Sequence, residues 1–191
     1  MEPGLEIVRE NEPCTHLRFL LRGTAVMHSH AEDNSYSVEE DIHAPAVFGL
    51  ERLFGLRQYY AQTITALTQC SLLNITKEEI MTLSNTHLIF RINLFNRLAT
   101  DTQKYSQLAW QRNPTTLMEG MMRFFTLHTS YPAGHKVFNI RMQTLADEIG
   151  QSRLNVSRLL NEWNDKGLVC ISRGRIDIPH MENLLQLKDC P

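Results

Sequence analysis

Arg153, Asn155, Ser157 and Arg158 fall within six consecutive positions, and side chains of these types read the edges of base pairs. An arginine offers two parallel donors to O6 and N7 of guanine, and an asparagine grips N6 and N7 of adenine in the same two-pronged way. A second polar group follows at Ser172-Arg173-Gly174-Arg175, and Arg141 lies a little upstream. Guanidinium groups suit phosphate oxygens, whose contacts set the register of a protein on a duplex without carrying sequence information. From Gly150 to Arg175 the cations Arg153, Arg158, Lys166, Arg173 and Arg175 outnumber the carboxylates Glu162 and Asp165, although the whole chain of 191 residues has a net charge of −2. A local basic excess in an acidic chain is the electrostatic footprint of phosphate contact.

These side chains need a rigid support, and the surrounding pattern predicts one. Gln143 to Gly167 reads as two helices joined by a tight turn. Leu145, Ala146 and Ile149 give the first helix one apolar face, and Gly150 supplies the positive φ that ends it. Ser152 caps the second helix, whose Val156, Leu159, Leu160 and Trp163 recur at the spacing of an inward face. Helices joined by so few residues cross steeply, so the residue at their closest approach must be small, as Ala146 is. Ala146, Gly150, Val156 and Leu159 in this spacing form a helix-turn-helix pattern. Ser152, Arg153, Asn155, Ser157 and Arg158 then face outward near the start of the second helix, the end that reaches base edges. Leu168 to Ile171 and Ile176 to Ile178 flank Arg173-Gly174 and predict a β-hairpin. Such a wing brings Arg173 and Arg175 to phosphates, with Arg141 as a further contact.

Upstream, residues 1 to 76 predict β-structure. His16 to Leu21, Thr24 to Met27, Val38 to Ile42, Gln62 to Leu67 and Leu72 to Ile75 are short apolar runs broken by turns, the mark of a roll, barrel or sandwich. Residues from about 77 to 112 predict helix. Lys77 to Leu83 opens with a capping box of Thr76 and Glu79. Thr86 to Arg112 has no Gly or Pro and spans ~40 Å at 1.5 Å per residue. Leu88, Ile92, Phe95, Leu98, Tyr105 and Ala109 form a stripe along it, with Leu94 and Leu108 beside. A chain of this length has little other mass to cover the stripe, so a homodimer through the 86–112 helix is expected. Asn113-Pro114 breaks the helix. Thr116 and Glu119 predict a second capping box, opening a helix through Leu127 whose Met118, Met121, Met122, Phe124 and Phe125 fill core. Two domains follow, 1–112 with the dimerisation helix at about 77–112, and 113–191.

Other chemistries are poorly served. Cys14, Cys70, Cys170 and Cys190 lack metal-site or cluster spacing and read as reduced thiols of a cytoplasmic protein. No signal-peptide pattern opens the chain, and no run approaches the ~20 apolar residues of a membrane span. His28 and His30 share a strand face with Glu32 nearby, so a cupin-like metal-dependent β-barrel enzyme is one rival reading. A haem- or metal-binding sensor regulator is another. Neither a catalytic triad nor a phosphate-binding glycine loop is visible, so no catalytic residue, metal or cofactor is expected.

Leu145-Ala146-Asp147, Ile149-Gly150, Ser152-Arg153, Val156-Ser157-Arg158 and Leu160, then Lys166-Gly167-Leu168-Val169 and Gly174-Arg175-Ile176, resemble the Crp/Fnr family of bacterial regulators. Leu20-Leu21-Arg22-Gly23, Phe48-Gly49 with Leu53-Phe54, and Cys70-Ser71-Leu72-Leu73 with Ile75 resemble that family's β-roll; the helix that often precedes the roll is not evident. The resemblance implies an α+β chain: an N-terminal β-roll (a double-stranded β-helix of cyclic-nucleotide-binding type), a long dimerisation helix and a C-terminal winged helix-turn-helix. It implies a homodimer on a near-palindromic site in double-stranded DNA, with Ser152, Arg153 and Arg158 at contacting positions. RNA polymerase is a candidate further partner. Two departures stand out. The family often carries a base-reading Glu after the first Arg, where this chain has Leu154. Its nucleotide binders carry Gly-Glu and, some ten residues on, Arg-Ser or Arg-Thr; here Gly49 is followed by Leu50, and the later segment reads Gln58-Tyr59-Tyr60-Ala61. A buried phosphate without its cation is costly, so control by cyclic AMP is not expected.

Overall fold

A computed structural model describes residues 1–110 and 112–187. Contacts divide the α+β chain into two units, Met1–Ala25 with Ile42–Arg112 and Val26–Asp41 with Asn113–Pro191. Its elements begin with β1 (Glu6–Val8), β2 (His16–Arg22), β3 (Thr24–His30), β4 (Ser37–His43), β5 (Ala46–Phe48), α1 (Leu50–Leu53), β6 (Thr63–Ala66) and β7 (Ser71–Thr76). The outer part of the β3–β4 hairpin, residues 26–41, thus belongs to the second unit.

In the first unit β2 is a central strand. It pairs antiparallel with β5, Phe19 opposite Val47, and with β7, Leu17 opposite Ile75. β1 pairs antiparallel with β6. Leu17, Leu20, Phe48, Leu53, Ile64 and Ile80 are buried. Gly49 sits at φ 87°, and a Cβ there would lie 2.8 Å from Cys14 Sγ and 2.9 Å from Tyr60 Cε1, so only glycine fits without displacing both. Tyr60 donates to the His16 carbonyl at 2.9 Å, and burial pushes its phenol up to about 12.

The helical part of this unit holds α2 (Lys77–Thr86) and α3 (Leu88–Ala109). The expected capping box is present: Glu79 N donates to Thr76 Oγ1 at 3.2 Å, and Thr76 N donates to a Glu79 carboxylate oxygen at 2.8 Å. The long helix, however, begins at Leu88 rather than Thr86. Thr86 closes α2, its hydroxyl donating back to the Thr82 carbonyl, and His87 is extended at φ −121°, which breaks the helical ladder. On α3, Leu88, Ile92 and Phe95 are 58%, 46% and 59% exposed, while Leu94 and Leu98 are half-buried. The side chains of Tyr105, Leu108 and Ala109 lie outside the described residues, as does Cys190.

The second unit adds α4 (Leu117–Leu127), β8 (Lys136–Asn139), α5 (Met142–Glu148), α6 (Arg153–Asp165), β9 (Cys170–Ser172), β10 (Arg175–Ile178) and α7 (Met181–Gln186). Strands β4, β8, β10 and β9 pair antiparallel in that order. Met121, Met122, Phe124 and Phe125 of α4 are buried in one apolar cluster with Val38, Phe138, Leu145, Val156, Leu160 and Trp163. Phe125 packs its ring 4.6 Å from Phe138 and 6.5 Å from Trp163, tying α4 to the sheet and to α6. At the start of α4 only half of the expected box forms. Thr116 Oγ1 accepts from Glu119 N, but the Glu119 carboxylate reaches back one residue further, to the amide and hydroxyl of Thr115.

Candidate nucleic-acid interface

The turn between α5 and α6 is a Schellman motif. Gly150 at φ 64° lets Gln151 N donate to the Ala146 carbonyl at 2.9 Å, while Gly150 N reaches Asp147 at 3.2 Å. Ala146 is fully buried where the two helices meet. Two residues later Ser152 caps α6, its Oγ accepting from Asn155 N at 3.2 Å. Ser152 is exposed at the positive end of a 13-residue helix. Val156, Leu160 and Trp163 are buried, so α6 is clamped by one face only.

Arg153, Asn155 and Arg158 are exposed on the rest of α6. Ser157 departs from the outward placement expected of it: it is half-buried, because it falls at the edge of the packed face, one residue after Val156 and three before Leu160. At the other end of α6 the chain turns into the wing. Leu168 N donates to the Trp163 carbonyl at 2.9 Å, and the Asn164 side chain accepts from Ile171 N at 3.2 Å, pinning β9 to the helix. No spacing along the chain marks Asn164 for this role, because its partner lies seven residues away across the turn.

β9 and β10 form the expected hairpin, Arg175 opposite Ser172 and Ile176 opposite Ile171. Ile176 and Ile178 point into the core, which leaves Arg175 and Asp177 on the other face. Arg175 Nη2 lies 3.3 Å from Asp177 Oδ2, so part of its charge is offset. Asp177 also meets His135 Nε2 at 2.9 Å, while Nδ1 of the same ring lies 3.2 Å from Asp41. Asp177 and His135 were not anticipated either, although Arg175 and Asp177 at a spacing of two share a strand face. Gly134 N, next to His135, donates to Glu182 at 2.8 Å, and this hydrogen bond holds the Glu182 carboxyl below its ordinary value.

One cleft of about 730 Å³ gathers Arg141, Arg153, Arg173 and Arg175, with Met142 and Ser172 also in its wall. Three separate parts of the second unit supply it: the start of α5, the start of α6 and the wing. Among the described residues Ser152, Asn155, Ser157 and Arg158 are outside its lining and continue along α6. The arrangement offers concave positive charge beside a helix whose exposed first turns carry hydrogen-bonding side chains. His28 and His30 lie on β3, His28 half-buried and His30 exposed. Among the described residues no three His, Cys, Asp or Glu are placed to hold a metal ion, and no helix is long and apolar enough to cross a membrane.

Comparison with known proteins agrees with this geometry. Residues 1–87 match the family model described as a cyclic nucleotide-binding domain, and residues 121–187 match that of a Crp-like helix-turn-helix domain. No curated protein sequence matches the chain. Among solved structures, CprK in complex with OCPA is similar over 98% of this chain and 87% of its own, at 16% identity and a TM-score of 0.55. Reduced CprK without ligand is similar over 99% and 90%, at 17% identity and a TM-score of 0.50. FixK2 from Bradyrhizobium japonicum is similar over 97% and 93%, at 14% identity and a TM-score of 0.50. At such identities the likeness is one of fold. With a cyclic-nucleotide-binding-type domain ahead of a Crp-like helix-turn-helix, the chain belongs to the Crp/Fnr family of DNA-binding transcriptional regulators.

Proposed function

We propose that the protein acts in the cytoplasm as a homodimer on a near-palindromic site, α6 of each copy entering the major groove and the β9–β10 wing lying on flanking phosphates. The observation that carries this reading is the convergence of Arg141, Arg153, Arg173 and Arg175 on one cleft. Like charges gathered on a concave face repel one another until an anion sits among them, and a phosphate backbone is an anion long enough to run past Arg141, Arg173 and Arg175 while Arg153, at the start of α6, reaches the base edges beside it. Ser152, Asn155, Ser157 and Arg158 extend that surface along α6. Pairing through the 86–112 region would cover Leu88, Ile92 and Phe95, which stand exposed on α3.

Cyclic AMP has no part in this reading. Leu50, where the resemblance implies a ribose-holding carboxylate, is only 4% exposed, and Tyr59-Tyr60 stand where it implies a phosphate-pairing arginine. Any effector must favour one spacing of the paired α6 helices over another.

Selection from random duplexes by the full chain, with and without cyclic AMP, tests the proposal. The expected product is an inverted repeat with half-sites about 34 Å apart, or a multiple of that distance. Its affinity should fall linearly with the logarithm of salt and ignore cyclic AMP. Enrichment of no sequence, or of a site without symmetry, would refute it.

A further inference from the structure

Leu154 is the second residue of α6 and is 59% exposed. It takes no part in the apolar cluster that holds the rest of the helix. Val156, Leu160 and Trp163 define the packed side of α6. At 3.6 residues per turn, Leu154 and its neighbour one turn on, Arg158, lie opposite that side. A lone exposed leucine is ordinary on a protein surface. This one occupies the turn of a recognition helix that comes nearest to base edges, between Arg153 and Asn155. Most of what a base pair shows in the major groove is a donor or an acceptor, and a leucine laid against either would leave it without a partner. The C5 methyl of thymine is the apolar group on offer there.

We propose that Leu154 is a specificity-determining residue that packs on the C5 methyl of a thymine in each half-site. This rests on α6 entering the major groove. The leucine cannot accept a hydrogen bond from a cytosine amino group, so it favours a T·A pair at a position where a carboxylate would favour C·G.

The test uses the full chain and the duplex recovered by selection, with each half-site thymine replaced in turn by uracil, which removes one methyl group and nothing else. At one position per half-site the wild type should lose about fourfold in affinity, the worth of one buried methyl. Leu154→Ala should bind the thymine duplex more weakly and lose nothing further with uracil. Leu154→Glu should shift the preference at that base pair towards cytosine. Both variants should melt as the wild type does, since the side chain lies outside the core. If uracil weakens wild type and Leu154→Ala equally, or Leu154→Glu keeps the thymine preference, the role of Leu154 is overturned while DNA binding stands. If the wild type enriches no duplex, the groove reading fails and this inference fails with it.

Discussion

Lys136 Nζ lies 3.3 Å from a carboxylate oxygen of Glu40, and the two side chains are 0% and 1% exposed. The pair is well supplied with further bonds. Glu40 accepts from the backbone amides of Ser130 and Tyr131, and Lys136 donates to the Ala133 carbonyl. It therefore joins β4, the 130–133 loop and β8, the strand that pairs with β10 of the wing. Removing one partner leaves the other charge buried without its counterion. Glu40→Ala should cost about 3–5 kcal/mol of unfolding free energy in urea. The joint replacement Glu40→Leu with Lys136→Met should recover most of that loss. A Glu40→Ala loss below about 1 kcal/mol would contradict this account.

On α6 and the wing, two kinds of arginine should behave differently. Arg158→Ala should cost about 1–3 kcal/mol on the selected site and relax preference at one base pair, the outcome expected if α6 lies in the major groove as proposed. Arg153→Ala should do likewise. Arg173→Ala should instead weaken all duplexes alike and reduce the salt slope by about one unit. Competition binding against point-mutated sites at several salt concentrations separates the two patterns; identical profiles would refute the division of labour.

Asp177 offsets Arg175. Asp177→Asn releases that guanidinium for phosphate and should raise affinity for unrelated duplexes by up to about fivefold, the scale of an exposed ion pair. The salt slope should steepen by about 0.9 per added phosphate contact. A flat response in a salt titration would mean that Arg175 does not reach the backbone.

The exposed stripe on α3 predicts the oligomeric state. Phe95→Glu places a charge in the middle of the proposed helix pair, so sedimentation should report one chain where the wild type reports two. Affinity for the symmetric site should fall about a hundredfold or more, since the two half-sites would no longer be linked. A wild type that sediments as a single chain at micromolar concentration would end the dimer proposal.

Glu182 gives the fold an acid-sensitive joint. The Gly134 amide holds its carboxyl below the ordinary value of 4.5. A carboxyl lowered on folding contributes stability above its unfolded value, and that contribution disappears as pH falls through the lowered folded value. At neutral pH Glu182→Gln should melt below the wild type, and the gap should close as the pH drops below 4.5. A gap independent of pH would show that the carboxylate charge has no part in the joint.

Several of these features could be read along the chain because their causes are local. Gly150, Ser152 and the Thr76–Glu79 box each meet a demand set by residues three or four positions away. Where local rules compete, the sequence pattern does not choose between them. Glu119 had two threonines within reach and took the amide of Thr115 as well as supporting a cap at Thr116. His87 interrupted a stretch whose composition gave no warning. β1, β5 and β8 are three or four residues long, too short to show an alternation.

By itself the sequence determined the helix-turn-helix, the wing and the basic excess between Gly150 and Arg175. Turns, caps and hydrophobic spacing need only near neighbours, and charge needs only counting. Tertiary structure alone decided that Glu40 faces inward and meets Lys136, that Arg141 joins Arg153 and the wing in one cleft, and that Asp177, already beside Arg175, also meets His135. The Glu40–Lys136 and Asp177–His135 contacts depend on β4, β8 and β10 lying side by side in one register. The pairing of strands far apart in the chain is settled by the packing of whole faces, which no short spacing of residues encodes.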